Sequence, residues 1–112
     1  MTTLPETSEI MALAIVDAFD GKDDECLHLL REFYAVLRRK QYSRDLLYRD
    51  HKDPRRFVNI RYWASEEARQ EAQDDPDVHS FWKRLSAIAK VTQVFEQLED
   101  VSPAGGNVFS VK

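Results

Sequence analysis

Hydrophobic residues change from a continuous run to helical spacing in the first part of the chain, and each spacing predicts an element. An aliphatic run at residues 10–19, which ends at Asp20-Gly21, predicts a buried first strand followed by a turn. Residues 22–39 carry apolar side chains at helical spacing. Acidic residues open this segment and basic residues close it, as the helix macrodipole favours, so we predict the first helix here.

Two β-prone segments, residues 42–49 and 57–63, are separated by a turn that contains Asp53-Pro54. Pro54 has no backbone N–H to donate, so the flanking segments are predicted to form a hairpin. Alternation along the second segment separates two sets of side chains that point to opposite faces. These are Phe57, Asn59, Arg61 and Trp63 on one face, and Val58, Ile60 and Tyr62 on the other. We assign the second set to the hydrophobic core.

Two helices and a last strand are predicted after the hairpin. Ser65 followed by two glutamates is a typical helix start, and this helix is expected to end near residue 74. An Asp-Pro pair at 75–76 provides an N-cap and a first-turn proline for the next helix. The last strand is predicted at residues 91–98, and a loop and short extension follow it.

The predicted order of elements is β-α-β-β-α-β, with the second helical part divided in two. Short connections and right-handed crossovers favour an α+β, ferredoxin-like split β-α-β fold with a four-stranded antiparallel sheet and the helices on one face. The opposite face would then expose a larger apolar patch than monomers usually carry. We therefore expect a symmetric homodimer in which a second sheet covers this face.

The length and composition are those of one domain. The chain has 112 residues, of which 43% are hydrophobic and 32% charged, and a second domain would lack a core. We place the domain at residues 10–99, with a flexible tail at 1–9 and a C-terminal loop and extension at 100–112. The 16 basic and 20 acidic residues form no positive stripe, so no nucleic-acid partner is expected.

The cysteine count and the first residues bear on the cellular compartment. Cys26 is the single cysteine, so no internal disulfide can form. The first ten residues lack the regions of a signal peptide, and the apolar run at 11–16 is too short to span a bilayer. We expect a cytoplasmic protein without a membrane partner.

Residues 53–68, with the sequence DPRRFVNIRYWASEEA, resemble the hairpin, third strand and helix start of the antibiotic biosynthesis monooxygenase domain. A tryptophan that ends the third strand before a capped helix is a mark of this family. Residues 75–81, DPDVHSF, resemble the family's segment of a small polar residue, proline and histidine before the next helix. The resemblance covers residues 10–99. It fails at Lys40-Gln41, where the family commonly has Pro-Gly or Gly before the second strand.

The resemblance implies a dimeric α+β barrel, with a pocket in each subunit between the sheet and the helices. It also implies a cofactor-independent monooxygenase, because the best-understood members oxidise polycyclic phenols or anthrones to quinones with molecular oxygen, without metal or flavin. In such a reaction the phenolate or enolate of a small aromatic substrate reacts with oxygen itself. The protein must deprotonate it, orient it and exclude water, so no cofactor is expected.

Seven residues are candidates for this site. By the resemblance, Asn59 and Trp63 are catalytic pocket residues: Asn59 would donate a hydrogen bond to an oxyanion and Trp63 would stack on a flat ring. The alternatives are a local backbone cap and a core residue. His79 is the candidate general base, with simple pairing to Asp75 as the alternative. Arg61 is a candidate for binding an anionic substrate, with a cross-strand ion pair as the alternative. The candidates for lining the pocket, which also fit the core, are Tyr34, Phe81 and Trp82.

The other two histidines are not candidates for the active site. His28 and His51 are expected on the solvated surface, and no spacing of His or Cys predicts a metal site.

One other function is haem degradation, which a branch of the superfamily performs with a helical histidine ligand. Counted from Trp63, that position falls near Trp82, which argues against it. The other is a non-enzymatic small-ligand-binding or stress-related dimer of the same fold.

Overall fold

The computed structural model describes residues 9–103 and contains seven elements in chain order. They are β1 (Ile10–Ala18), α1 (Asp23–Arg39), β2 (Ser43–Arg49), β3 (Arg56–Trp63), α2 (Glu66–Gln73), α3 (Pro76–Ser86) and β4 (Ala89–Leu98). The strands form one antiparallel sheet in the order β2-β3-β1-β4. The predicted α+β, ferredoxin-like fold is confirmed. Apart from Glu9, the predicted tail lies outside the described residues, as does the predicted extension at 108–112.

Local side-chain caps set the starts of α2 and α3. Ser65 Oγ accepts a hydrogen bond from the backbone N–H of Ala68 at 3.0 Å. Asp75 Oδ1 accepts one from the backbone N–H of Asp77 at 2.8 Å, and Pro76 occupies the first turn of α3. Both caps satisfy N–H groups that have no partner within the helix. The two helix starts predicted from the sequence are therefore confirmed.

Asp75 also joins α3 to the connection between α1 and β2. Its Oδ2 accepts hydrogen bonds from Lys40 Nζ and Tyr42 Oη, both at 2.7 Å. The hydrogen bond from Lys40, followed by that from Tyr42, lowers the pKa of Asp75 to about 2. The carboxylate is thus charged at neutral pH, and it pairs with Lys40 rather than with His79, the partner considered from the sequence.

The helices cover one face of the sheet, and the hydrophobic core lies between them. The larger core cluster joins strand residues to buried residues of α1 and α3: Val16, Ala18, Cys26, Leu29, Leu30, Phe57, Leu85, Ile88 and Ala89. A smaller cluster lies nearer to α2 and contains Phe33, Leu37, Ala72 and Val78. β4 begins two residues before its predicted start, because Ala89 and Lys90 already pair with β1.

The assignment of Val58, Ile60 and Tyr62 to the core is wrong for the single chain. All three are only half-buried, whereas Phe57 and Asn59 on the opposite face are 0% and 3% exposed. The apolar sides of α1 and α3 pack against the face of Phe57. Alternation identifies the residues that share a face, but it does not identify the face that the helices cover.

The face of the sheet that the helices leave uncovered, here called the open face, is largely apolar. Its centre is formed by Ile60 of β3, which lies opposite Leu13 of β1 and Leu46 of β2. Leu46 is 41% exposed, and Tyr48 and Phe95 on the outer strands are 55% and 42% exposed. An apolar surface that continues across four strands is more than the single exposed apolar residues found on most monomers.

Gln41 has a left-handed backbone conformation, with φ at 65°. It lies in the connection between α1 and β2, where the resembled family commonly has glycine. The backbone of this connection therefore keeps a conformation that glycine adopts freely, although a side chain is present. A non-glycine residue in this region costs about 1–2 kcal/mol.

Replacing Gln41 with glycine is expected to raise the free energy of unfolding by up to about 1 kcal/mol, because the relieved strain exceeds the roughly 0.5–1 kcal/mol of extra chain entropy that glycine loses on folding. Urea denaturation measures this change. The matched control is Ala35→Gly on the exposed side of α1, expected to lower stability by about 0.5–1 kcal/mol. Equal destabilisation by both substitutions would contradict the interpretation.

Candidate active site

A cavity of about 250 Å³, here called the main cavity, lies between the covered face of the sheet and the helices. Ala12 and Ala14 of β1 form part of its floor, and their small side chains leave room that larger residues would fill. Five residues predicted from the sequence as site residues line it: Tyr34, Asn59, Arg61, Trp63 and Trp82. The position between sheet and helices is the one implied by the family resemblance.

A second cavity, also of about 250 Å³, lies beside the main cavity. It is lined by core residues of α1 and by Val78 and His79 of α3. Both cavities share four lining residues: Arg61, Trp63, Gln73 and Trp82. These shared side chains form the boundary between the two spaces.

The buried carboxylate of Asp45, which is not among the site residues predicted from the sequence, organises the polar part of the main cavity. Asp45 lies on β2 directly opposite Arg61, and its side chain is 0% exposed. Arg61 Nε donates to Asp45 Oδ2 at 2.6 Å, and Asn59 Nδ2 donates to the same oxygen at 3.1 Å. Ser43 Oγ donates to the other oxygen at 2.8 Å. The cross-strand ion pair considered for Arg61 is therefore present.

Aromatic rings surround the guanidinium of Arg61. Its Cζ lies 4.9 Å from the ring centroid of Trp63 and 5.2 Å from that of Tyr34. The ring of Phe33 is 5.8 Å away. Attraction to the ring faces and the ion pair with Asp45 offset the cost of holding a charge on a residue that is only 8% exposed. The guanidinium is thus held in a defined position at the boundary of the two cavities.

The partners of Asn59 decide which end of its amide faces the main cavity. Besides Asp45, Nδ2 donates to the backbone carbonyl of Leu46 at 3.2 Å. Both partners can only accept hydrogen bonds, so the amide nitrogen must point to them. The N–H groups predicted from the sequence to bind an oxyanion are therefore already bonded within the protein. The other end of the amide, Oδ1, is directed away from these partners.

Tyr34 adds a hydroxyl to the wall of the main cavity. Burial raises the pKa of this hydroxyl above its usual range, while the nearby charge of Arg61 acts in the opposite direction. Tyr34 is therefore protonated at physiological pH and can donate a hydrogen bond.

His79 and Phe81 lie apart from the five residues that line the main cavity. His79 is exposed, lines the second cavity but not the main cavity, and forms a hydrogen bond through Nε2 with the backbone carbonyl of Gln73. Phe81 packs in the core and stacks on Phe33 with ring centroids 5.0 Å apart. Trp82, one residue further along α3, turns toward the cavities and meets Phe33 edge-on.

The sequence contains a signal that locates Asp45. A hairpin whose turn is centred on Asp53 pairs position 45 with position 61, and this pairing is the observed register. An arginine on the helix-covered face of a strand needs a partner of opposite charge, and cross-strand neighbours are the nearest candidates. Knowing which face is covered is the missing step, and that comes from the tertiary structure.

The other ionisable candidates have surroundings that fit structural roles. His28 and His51 are exposed. Cys26 is buried in the core, and burial raises the pKa of its thiol to about 11, so it remains protonated at neutral pH. Across residues 9–103, no three His, Cys, Asp or Glu side chains are grouped so that they could hold a metal ion. No helix in this part of the chain is long and apolar enough to cross a membrane.

Comparison with family models and with curated proteins gives no match. Comparison with solved structures finds SnoaB, a cofactor-independent oxygenase from Streptomyces nogalater, at a TM-score of 0.71 and 18% identity over 86% of this chain and 99% of that chain. The chain has the antibiotic biosynthesis monooxygenase fold. A protein from Chloroflexus aurantiacus named as a candidate antibiotic biosynthesis monooxygenase has a TM-score of 0.70 and 16% identity, over 86% of this chain and 97% of its own.

A third protein with this fold is PA3566 from Pseudomonas aeruginosa. It has a TM-score of 0.68 and 21% identity, over 88% of this chain and 100% of its own. The antibiotic biosynthesis monooxygenase fold implied by residues 53–68 is therefore confirmed. At these identities the comparisons establish the fold, and the chemistry depends on the residues that line the cavity.

Asp45→Ala is expected to lower the free energy of unfolding by about 3 kcal/mol, because it leaves the buried charge of Arg61 unpaired. The double variant Asp45→Leu/Arg61→Met is expected to recover most of that loss, since two apolar side chains fill the space without a charge. Urea denaturation followed by tryptophan fluorescence compares the two. If the single variant costs less than about 1 kcal/mol, the pair does not have the structural role described here.

Proposed function

We propose that this protein is a cofactor-independent monooxygenase that oxidises a small aromatic phenol, anthrone or quinol with molecular oxygen. The observation that carries the proposal is the convergence of Asn59, Arg61 and Trp63 on one cavity beneath the helices. The fold shared with SnoaB, which is named as a cofactor-independent oxygenase, supports the reaction class.

The size and lining of the main cavity suit a small aromatic ring. Its volume of about 250 Å³ is below the usual range for drug-sized ligands, which favours a small aromatic molecule. Trp63 and Trp82 both line it and provide ring faces for stacking. The second cavity beyond them offers space for a further ring or substituent.

The reaction needs an ionised substrate, because a phenolate or enolate is electron-rich enough to react with oxygen. The guanidinium of Arg61 stabilises such an anion by charge and by N–H donation. In the overall conversion of a phenol to a quinone, one oxygen atom joins a ring carbon and the other leaves as water with two hydrogens of the substrate. The substrate supplies all the electrons, so no external reductant is required.

His79 is the proposed proton acceptor. Because the carbonyl oxygen of Gln73 can only accept a hydrogen bond, Nε2 of His79 carries the proton in this contact. Nδ1 is then the nitrogen that would take a proton from a part of the substrate that extends into the second cavity, which His79 lines. Imidazole is the side-chain group that most often acts as a general base in enzymes.

Oxygen uptake with a panel of anthrones, quinols and dihydroxynaphthalenes tests the proposal, under metal-free conditions. Wild-type protein is expected to exceed the protein-free rate with at least one substrate. Asn59→Ala and Trp63→Ala are expected to lower the rate at least about tenfold, and His79→Ala about a hundredfold, as for loss of a general base. His28→Ala is the matched control and should leave the rate unchanged.

A rate that never exceeds the protein-free rate across the panel would overturn the oxygenase proposal. In that case ligand binding without turnover would support the alternative of a non-enzymatic ligand-binding dimer. We place the activity in the cytoplasm, in keeping with the single, buried cysteine Cys26.

We further propose that the protein works as a homodimer in which two open faces pack against each other. The exposed Leu46, Tyr48 and Phe95 support this arrangement, since pairing would remove them from water. The covered face, which holds the main cavity, would stay free of the interface.

Ile60→Lys tests the dimer, because it puts a charge at the centre of the open face between Leu13 and Leu46. This variant is expected to sediment as a monomer, whereas wild type sediments as a dimer. Ala35→Lys, on the exposed side of α1, is the control and should remain dimeric. A wild-type species of 13.1 kDa at micromolar concentration would contradict the proposal.

A further inference from the structure

We infer that the main cavity takes an aromatic ring with two neighbouring oxygens, one ionised and one still carrying its proton. Asp45 is the positioning residue that sets this preference through Arg61 and Asn59. The inference rests on the proposed function and names the substrate class of that same site.

Arg61 provides the donor side of the pattern. Its Nε is bonded to Asp45, and within residues 9–103 its terminal nitrogens Nη1 and Nη2 donate to no protein acceptor. No enclosed side-chain nitrogen or oxygen in this part of the chain lacks a partner, so these two nitrogens must reach open space. Arg61 lines the main cavity. A negatively charged ligand oxygen is the acceptor that a guanidinium binds most strongly.

Asn59 provides the acceptor side. Its amide nitrogen is held by Asp45 and Leu46, and among the described residues its Oδ1 accepts no hydrogen bond. By the same reasoning, Oδ1 reaches open space, and Asn59 lines the main cavity. An amide oxygen can only accept, so it favours a ligand O–H and disfavours a second ionised oxygen.

The two groups lie side by side because they share one anchor. Arg61 Nε and Asn59 Nδ2 both bind Asp45 Oδ2, at 2.6 Å and 3.1 Å. Oxygens on adjacent ring carbons, or on neighbouring positions of fused rings, are close enough together to meet both groups. Asp45 itself is buried behind them, so it acts on a ligand through Arg61 and Asn59.

Other charged groups at the main cavity come from α2 and β4. Arg69 of α2 lines the cavity, and its side chain pairs with Glu66 at 4.0 Å. Glu96 of β4 is exposed at the cavity wall. Tyr34 of α1 faces the same space as a neutral hydroxyl. A control for the charge of Arg61 must therefore lie outside the cavity, as the exposed Arg38 of α1 does.

Anaerobic titration with three redox-stable ligands tests the inference without any oxygen chemistry. The probes are 4-nitrocatechol, which has two neighbouring oxygens, 4-nitrophenol, which has one, and 4-nitroanisole, which cannot ionise. At a pH where the first two are singly ionised, wild type is expected to bind 4-nitrocatechol about tenfold tighter than 4-nitrophenol, and 4-nitrophenol about tenfold tighter than 4-nitroanisole.

Three variants test the donor role of Arg61 and the acceptor role of Asn59 separately. Arg61→Met should abolish the preference for ionised ligands, with little change for 4-nitroanisole. Asn59→Ala should abolish only the advantage of 4-nitrocatechol over 4-nitrophenol. Asp45→Asn should also reduce the advantage of 4-nitrocatechol over 4-nitrophenol. An asparagine at position 45 can donate as well as accept hydrogen bonds, so the Asn59 amide is no longer held with its N–H group toward position 45. A purely structural role of Asp45 would leave this ratio of affinities unchanged.

Arg38→Met, at an exposed arginine of α1 that does not line the main cavity, is the control and should keep both preferences. If Arg61→Met does not fold, the Asp45→Leu/Arg61→Met variant replaces it, since this pair leaves no unpaired charge. Similar affinity for all three ligands, an anion preference that survives loss of Arg61, or no binding of 4-nitrocatechol would each overturn the inference. Binding as expected without oxygen uptake would support the inference while overturning the oxygenase proposal.

Discussion

The buried ion pair between Asp45 and Arg61 is the interaction on which the candidate site depends. It joins β2 to β3 beneath the helices, where an unpaired charge would be costly. The same carboxylate holds the amide of Asn59 in one orientation. A single buried group therefore determines both where a positive charge lies in the cavity and which hydrogen bonds the neighbouring amide can offer. Such a fully connected polar cluster is a common way to hold binding groups in position before a ligand arrives.

The two faces of the sheet have different roles because the helices cover only one of them. The covered face combines small residues on β1 with aromatic and charged residues on β3, which leaves a cavity instead of a fully packed core. The open face carries half-buried and exposed apolar side chains. The cavity and the exposed apolar surface therefore lie on opposite sides of the sheet.

Much of the site was predictable from the sequence, and there are physical reasons why the rest was not. Asn59, Arg61 and Trp63 share a strand face by simple alternation, so their convergence on one cavity was expected. The orientation of the Asn59 amide was not, because it depends on Asp45 and Leu46 across the hairpin. Phe81 and Trp82 are adjacent in sequence, yet one packs in the core and the other lines the cavities. Helical spacing identifies the apolar side of α3. It does not show which residues at the edge of that side pack in the core and which line a cavity.

The sequence by itself determined the order of the elements, the caps at Ser65 and Asp75, the hairpin and the antiparallel four-stranded fold. These features follow from interactions between residues close in the chain and from the few ways in which such elements can pack. Only the tertiary structure decided which sheet face the helices cover, that Val58, Ile60 and Tyr62 lie on the open face, and that Asp45 is enclosed beneath Arg61. Burial depends on contacts between distant parts of the chain, and the same alternating strand is compatible with either face being covered.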